Sequence, residues 1–153
     1  KRLNSIFAGV TAERFHAGNF QSPIPGAASA RFGERRVFNG VPKAPHAGAD
    51  LRAAFGIVVR APAGGRVALA DDLFYLGRTI VLDHGYGLYS YYGHLSEMAV
   101  KPGDLLARGA VIGKVGATGR ATGPHLHWAV KSGGARGDPF SLMSLDLSAW
   151  LGP

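Results

Sequence analysis

The sequence predicts an all-β or β-rich domain: a small, mainly antiparallel sheet with short helical pieces at the termini. Three observations lead there. Short apolar bursts recur at Ile57–Val59, Arg66–Ala70, Arg78–Asp83, Leu88–Tyr92 and Ala110–Val115, each bounded by turn-forming residues. The separators are Pro62-Ala63-Gly64-Gly65, Gly77, His84-Gly85-Tyr86-Gly87, Lys101-Pro102-Gly103-Asp104 and Gly116-Ala117-Thr118-Gly119, and Gly and Pro are the strongest local punctuators of a chain. The 153 residues hold 23 glycines and 9 prolines at an ordinary apolar content, which describes a turn-rich chain of short strands better than one of long helices.

Taken in order, residues 1–20 show no clear period, although Ile6, Phe7, Val10, Phe15 and Phe20 could cover part of a core, and His16 reads as a surface residue. Gln21 to Gly40 is loop-like, with a basic run at Arg31-Phe32-Gly33-Glu34-Arg35-Arg36 that is solvated or touches a substrate. Pro45-His46-Ala47-Gly48-Ala49-Asp50-Leu51 follows. Its Pro45 and Gly48 argue against a helix, so a loop runs into a strand and the turn at Gly48 brings His46 to Asp50. After the apolar bursts, Gly123-Pro124-His125-Leu126-His127-Trp128-Ala129-Val130 reads as a strand opened by Pro124. Alternation along it projects His125 and His127 together and turns Leu126, Trp128 and Val130 into a core. Gly133 to Pro139 is a turn, and Ser141–Leu151 is a short helix covering an edge.

Composition narrows the function classes. Seventeen Lys and Arg against ten Asp and Glu give a formal charge of +7, which favours an anionic partner such as nucleic acid, a membrane surface or a cell-wall polymer. Tyr86, Tyr89, Tyr91 and Tyr92 cluster, but basic residues are not interleaved with them, so a base-stacking platform is poorly supported and nucleic acid is not expected. No apolar run reaches membrane-spanning length. The absence of cysteine excludes disulfides and thiolate metal sites. Lys101 to Gly119 has the rhythm of small β modules that carry swinging cofactors, yet no lysine sits at an obvious hairpin tip.

Four histidines and one aspartate fall into three groups: His46 with Asp50, His94 alone, and His125 with His127. A catalytic zinc takes three protein ligands and keeps one position open. His46, Asp50 and one of His125 and His127 supply two imidazoles and a carboxylate, a donor set that suits Zn²⁺. His94 and the other member of the pair then remain for proton handling. No His-Glu-x-x-His motif provides a glutamate base, so a histidine is the expected base, its ordinary pKa of ~6.5 suiting neutral pH. His84 reads as structural.

His46-x-x-x-Asp50, then Tyr92-Gly93-His94-Leu95, then Gly119-Arg120-Ala121-Thr122-Gly123-Pro124-His125-Leu126-His127, in this order and spacing, resemble the lysostaphin-type (LytM-type) zinc metallopeptidases. The likeness runs from about Pro25 to Pro139 and includes Phe32-Gly33-Glu34-Arg35-Arg36 and Val100-Lys101-Pro102-Gly103-Asp104. It implies a sheet with a groove over the metal, residues 25–140 as the metallopeptidase domain, 1–24 as an extension or remnant of a larger chain, and 141–153 as a tail packed on the domain. It also implies zinc held by His46, Asp50 and His127, with His94 and His125 lining the open position. His125 is then the first choice for the base and His94 for the oxyanion, the two roles being exchangeable. The activity implied is endopeptidase cleavage of peptide crosslinks or stem peptides in bacterial peptidoglycan, a D,D-crosslink being favoured. The setting implied is the periplasm or cell envelope, reached by an export signal or N-terminal region not present in this chain. The alternative is a non-catalytic peptidoglycan-binding module that activates a separate cell-wall amidase; all five positions are intact, which argues against it. Ala129 stands where several relatives carry Glu or Gly, a departure that gives no reason for loss of activity.

Overall fold

A computed structural model describes residues 20–24, 28–30, 37–38, 41–42, 48–119, 121, 123–132, 135–137 and 139, with backbone alone for 28–30, 37–38, 41–42, 135 and 136. Its strands in chain order are β1 (Ala28–Ala30), β2 (Val37–Phe38), β3 (Val41–Pro42), β4 (Ala49–Arg52), β5 (Val58–Arg60) and β6 (Gly65–Leu73). They continue with β7 (Gly77–Gly85), β8 (Leu88–Met98), β9 (Leu105–Leu106), β10 (Val111–Val115), β11 (His125–Ser132) and β12 (Ala135–Gly137). Each apolar burst of the sequence lies in or overlaps one of these strands, and every pairing is antiparallel. The predicted helical tail, residues 1–19 and the basic run at 31–36 lie outside the described residues.

One ten-stranded sheet runs in the order β1-β4-β11-β8-β7-β6-β9, with β10 bridging β5 and β8, and β12 on β11; β2 and β3 form a separate pair. Period-two alternation divides the central strands into two faces. Leu126, Trp128 and Val130 of β11 join Leu51, Ile80, Leu82, Tyr92, Ile112 and Val115 in the main core. On the opposite face Ala129 packs with Leu69, Val81, Tyr89 and Tyr91 in a second cluster. That second cluster continues along β11 directly into His127 and His125.

β6, β7 and β8 are longer than their apolar bursts. β6 carries Asp71 and Asp72, weak strand formers, because the hairpin with β7 sets Asp72 opposite Arg78 and Asp71 opposite Thr79, and opposite charges across a ladder favour pairing. β8 runs on past Tyr92 through Gly93 and His94, because Leu95 re-enters the core. Phe20 and Ile24 are buried in that core as well. Their segment is tied to β5 and the following turn by Arg60 N–H to Pro23 O and Gln21 N–H to Pro62 O, both 3.0 Å.

His84, read as structural, is fully buried in β7. Its Nδ1–H donates to Gly64 O at 2.7 Å, and its Nε2 accepts from the Ser90 hydroxyl at 2.6 Å. Ser90 Oγ in turn receives the Tyr92 hydroxyl. Burial pushes the Tyr92 hydroxyl far above its ordinary pKa, so it stays protonated. The bonds run in one buried chain from Gly64 O through His84 and Ser90 to Tyr92.

Candidate functional site

Asp50 and His127 meet because β4 and β11 pair in one register, with His127 opposite Asp50 and His125 opposite Arg52. His127 Nδ1 lies 2.9 Å from Asp50 Oδ1, and His125 Nε2 lies 3.6 Å from the same oxygen. The approach of the two strands depends on Gly48. A Cβ there would stand 2.7 Å from Ala129 Cβ and 2.7 Å from Trp128 O, well inside ordinary carbon contact distance of ~3.5–4.0 Å.

His94 arrives by a different device. Simple alternation along β8 groups residue 94 with Leu88, Ser90 and Tyr92, facing the core. Opposite Arg78 and Ile80 of β7, however, β8 places Leu95 and Tyr92, one residue more than the partner strand, which is a β-bulge. Bulges bend a strand and re-aim side chains. His94 absorbs the extra residue with a left-handed φ of 63°, a conformation uncommon outside glycine but several-fold enriched in His. Tyr92 and Leu95 both stay in the core, while the His94 ring comes to 4.7 Å from that of His125 and 6.2 Å from that of His127, centroid to centroid.

Backbone carbonyls fix the tautomers. His94 Nδ1–H donates to Thr118 O at 2.7 Å and His125 Nδ1–H to Gly123 O at 2.9 Å. In the neutral ring each Nε2 is therefore the bare acceptor. Burial is the main cause that pulls the His94 pKa below its ordinary value, with the neighbouring His125 and His127 acting the same way and the bond to Thr118 O and the Asp50 charge opposing them. His94 is held as a neutral base.

The structure thus brings together four of the sequence-predicted residues, Asp50, His94, His125 and His127, while His46 lies outside the described residues. Among the described residues no group of three His, Cys, Asp or Glu side chains is arranged to hold a metal on its own. The donors present do fit zinc in kind. Ligand atoms of a tetrahedral zinc with bonds of ~2.0–2.2 Å stand about 3.3 Å apart, and the 2.9 Å between Asp50 Oδ1 and His127 Nδ1 is close to that spacing. Thr118 was not singled out by the sequence, where it reads only as part of the turn Gly116-Ala117-Thr118-Gly119. The glycines flanking it were the available signal.

An antiparallel sheet thus gathers imidazoles and a carboxylate on one face of its middle strands, donors of the kind a catalytic zinc takes. The sequence profile described as peptidase family M23 matches residues 44–139, and the chain belongs to that family. It is 36% identical over 120 residues to the peptidoglycan DD-endopeptidase ShyA of Vibrio cholerae, covering 78% of this chain and 27% of that one. A zinc-containing peptidase from Vibrio cholerae superposes with a TM-score of 0.75 at 30% identity, covering 81% of this chain and 40% of the other. The catalytic domain of lysostaphin from Staphylococcus simulans superposes with a TM-score of 0.68 at 30% identity, covering 78% of this chain and 93% of the other. The chain spans about a quarter of the length of the curated relatives it matches. Among the described residues no helix is long and apolar enough to cross a membrane.

Proposed function

We propose that this chain is the catalytic domain of a zinc-dependent endopeptidase that hydrolyses peptide crosslinks or stem peptides of bacterial peptidoglycan in the cell envelope, D,D-crosslinks being the favoured bond. One observation carries the reading: a carboxylate, an imidazole nitrogen 2.9 Å from it, and two further imidazoles with tethered Nδ1–H groups share one face of β4, β8 and β11. The DD-endopeptidase relative and the zinc-containing structural neighbour support the substrate and the metal.

Asp50 and His127 would hold the ion together with His46. The register favours His127 over His125 as the ligand, since His127 stands directly opposite Asp50. When bound, zinc lowers the pKa of a coordinated water and polarises the scissile carbonyl. The proton handling belongs to the two remaining imidazoles. His94, kept neutral by burial with Nε2 bare, is equipped to take a proton from the attacking water and return it to the leaving amine. His125, with its Nδ1–H tied to Gly123 O, is the second imidazole beside the open position. The sequence reading puts His125 first as base and His94 at the oxyanion; both rings carry the same tethered tautomer, and the two roles are exchangeable. The formal charge of +7 draws in an anionic wall polymer, an effect that weakens with salt.

The test is mass spectrometry of fragments released from purified crosslinked peptidoglycan, with zinc and with chelator. New amino termini that vanish with chelator and in Asp50→Asn support the reading. Binding to peptidoglycan with no bond cleaved under any zinc loading overturns it and leaves a non-catalytic module.

A further inference from the structure

Among the described residues, the His94 ring is oriented by a clamp of main chain and one hydroxyl. Three hydrogen bonds converge on Thr118. Its carbonyl accepts from His94 Nδ1–H at 2.7 Å, its Oγ1–H donates to Leu95 O at 2.7 Å, and Oγ1 accepts from Arg78 N–H at 3.0 Å. Leu95 follows His94 in the bulge, and Arg78 is the β7 residue opposite Leu95. The Thr118 side chain therefore pins both strands at the point where the bulge re-aims His94, and its own carbonyl is left directed at the ring.

The clamp closes from the other side through the β6–β7 turn. His94 N–H donates to Leu76 O at 2.6 Å. Gly77 and Gly119 let that turn lie flush on the Thr118 loop. A Cβ on Gly77 would stand 2.4 Å from Thr118 C and Oγ1, and one on Gly119 would stand 2.3 Å from Gly77 N. Both glycines also have positive φ, 68° and 74°. Only glycine fits either place.

We infer that Thr118 is the positioning residue of this site: through its hydroxyl bonds to Arg78 and Leu95 it holds its carbonyl on His94 Nδ1–H, selecting the tautomer whose Nε2 faces the candidate centre. The inference deepens the proposed hydrolase reading and rests on it for its catalytic consequence, though the tautomer itself does not. Hydrogen-bond partners that orient metal-holding histidines carry about 10–100-fold of activity or metal affinity, and His94, beside the candidate ligands, is oriented in the same way.

The experiment pairs two measurements on the chain carrying Thr118→Val, which keeps the shape and the carbonyl but loses the hydroxyl, and Thr118→Ser, which restores the hydroxyl. Histidine ring 15N–1H correlation spectra at neutral pH, zinc-free and zinc-loaded, report which nitrogen of His94 carries the proton. The wild-type protein should show Nδ1 protonated and Nε2 bare, Thr118→Val should mix the tautomers or broaden the signal, and Thr118→Ser should restore it. Turnover of a crosslinked peptidoglycan fragment should fall about 10–100-fold in kcat with Thr118→Val, with KM and bound zinc unchanged, and recover in Thr118→Ser. Protonation of Nε2 in the wild-type protein overturns the inference whether or not any variant folds. So does a Thr118→Val protein with wild-type spectra and wild-type kcat. A wild-type protein with the expected tautomer but no cleavage at all refutes the hydrolase reading while leaving the clamp intact.

Discussion

Gly48→Ala tests the join between β4 and β11 most directly, because a single methyl group separates a tolerated change from a broken site. The added Cβ would lie 2.7 Å from Ala129 Cβ, 2.7 Å from Trp128 O and 3.1 Å from His127 Cε1. Against an ordinary contact of ~3.5–4.0 Å, the overlap with Ala129 is about 1 Å. Neither Ala129 nor the Trp128 carbonyl has a flexible end that can swing away, so the strand bearing residue 48 must lift. Asp50 rides on that strand two residues further on. The lift is passed on to Asp50 Oδ1, which now stands 2.9 Å from His127 Nδ1, and disturbs the pairing of the two groups. Overpacking of this kind costs about 1–3 kcal/mol. In a domain of this size each kcal/mol is worth about 2–4 °C, so the zinc-free variant should melt roughly 2–12 °C lower. Zinc affinity should fall at least about tenfold, the equivalent of ~1.4 kcal/mol. Differential scanning calorimetry with and without chelator, beside a zinc-competition titration, reads both quantities. A variant that melts within 1 °C of the parent at ~1 °C precision and binds zinc equally well would refute the close-approach reasoning.

Three further outcomes follow from the same geometry. Ser90→Ala leaves His84 Nε2 and the Tyr92 hydroxyl without the group that joins them, and should cost about 1–3 kcal/mol in urea unfolding while peptidoglycan cleavage by the folded fraction is unaltered; a stability change below ~0.5 kcal/mol would contradict the bond chain. His94 has its pKa lowered on folding, mainly by burial, so the unfolded chain binds the extra proton first. The zinc-free protein should therefore lose stability as pH falls below ~6.5, the ordinary histidine value, and His94→Asn should flatten that slope in a pH series of melts. Zinc at a thousandfold excess over its Kd should raise stability by about 4 kcal/mol, an increment that Asp50→Asn should largely remove, as read by denaturant midpoints.

Much of this architecture was legible from spacing alone. Arg78–Asp83 and Leu88–Tyr92, separated by His84-Gly85-Tyr86-Gly87, do form a hairpin, since apolar, β-favouring residues broken by glycine leave the backbone few alternatives. His125 and His127 share a face with Asp50 while Leu126 and Trp128 are buried, because period-two alternation is a local property that survives tertiary context. The placement of His94 was not legible in the same way. Its direction depends on a one-residue mismatch between β7 and β8, a relation between strands to which a single strand's pattern is blind. The meeting of Asp50 with His127, 77 residues away, came from family likeness; the register that produces it is set by Gly48 against Ala129, a contact of zero side-chain volume on one side. Thr118 was missed for a related reason: its role lies in three bonds to distant main chain, and a threonine between glycines looks like any turn.

β11 is hydrogen-bonded on both flanks, to β4 through Asp50 and Leu51 and to β8 through Tyr91, Tyr92 and Gly93. An imidazole carried on an interior ladder is insulated from fraying, because neither neighbour can peel away without exposing Trp128 and Leu126, both sealed from solvent. The amides of residues 126–130 should accordingly exchange with deuterium only through global opening, whose free energy is the ceiling for any protein's amides. The chemistry of this face and the survival of the whole domain are then one event, lost together and regained together.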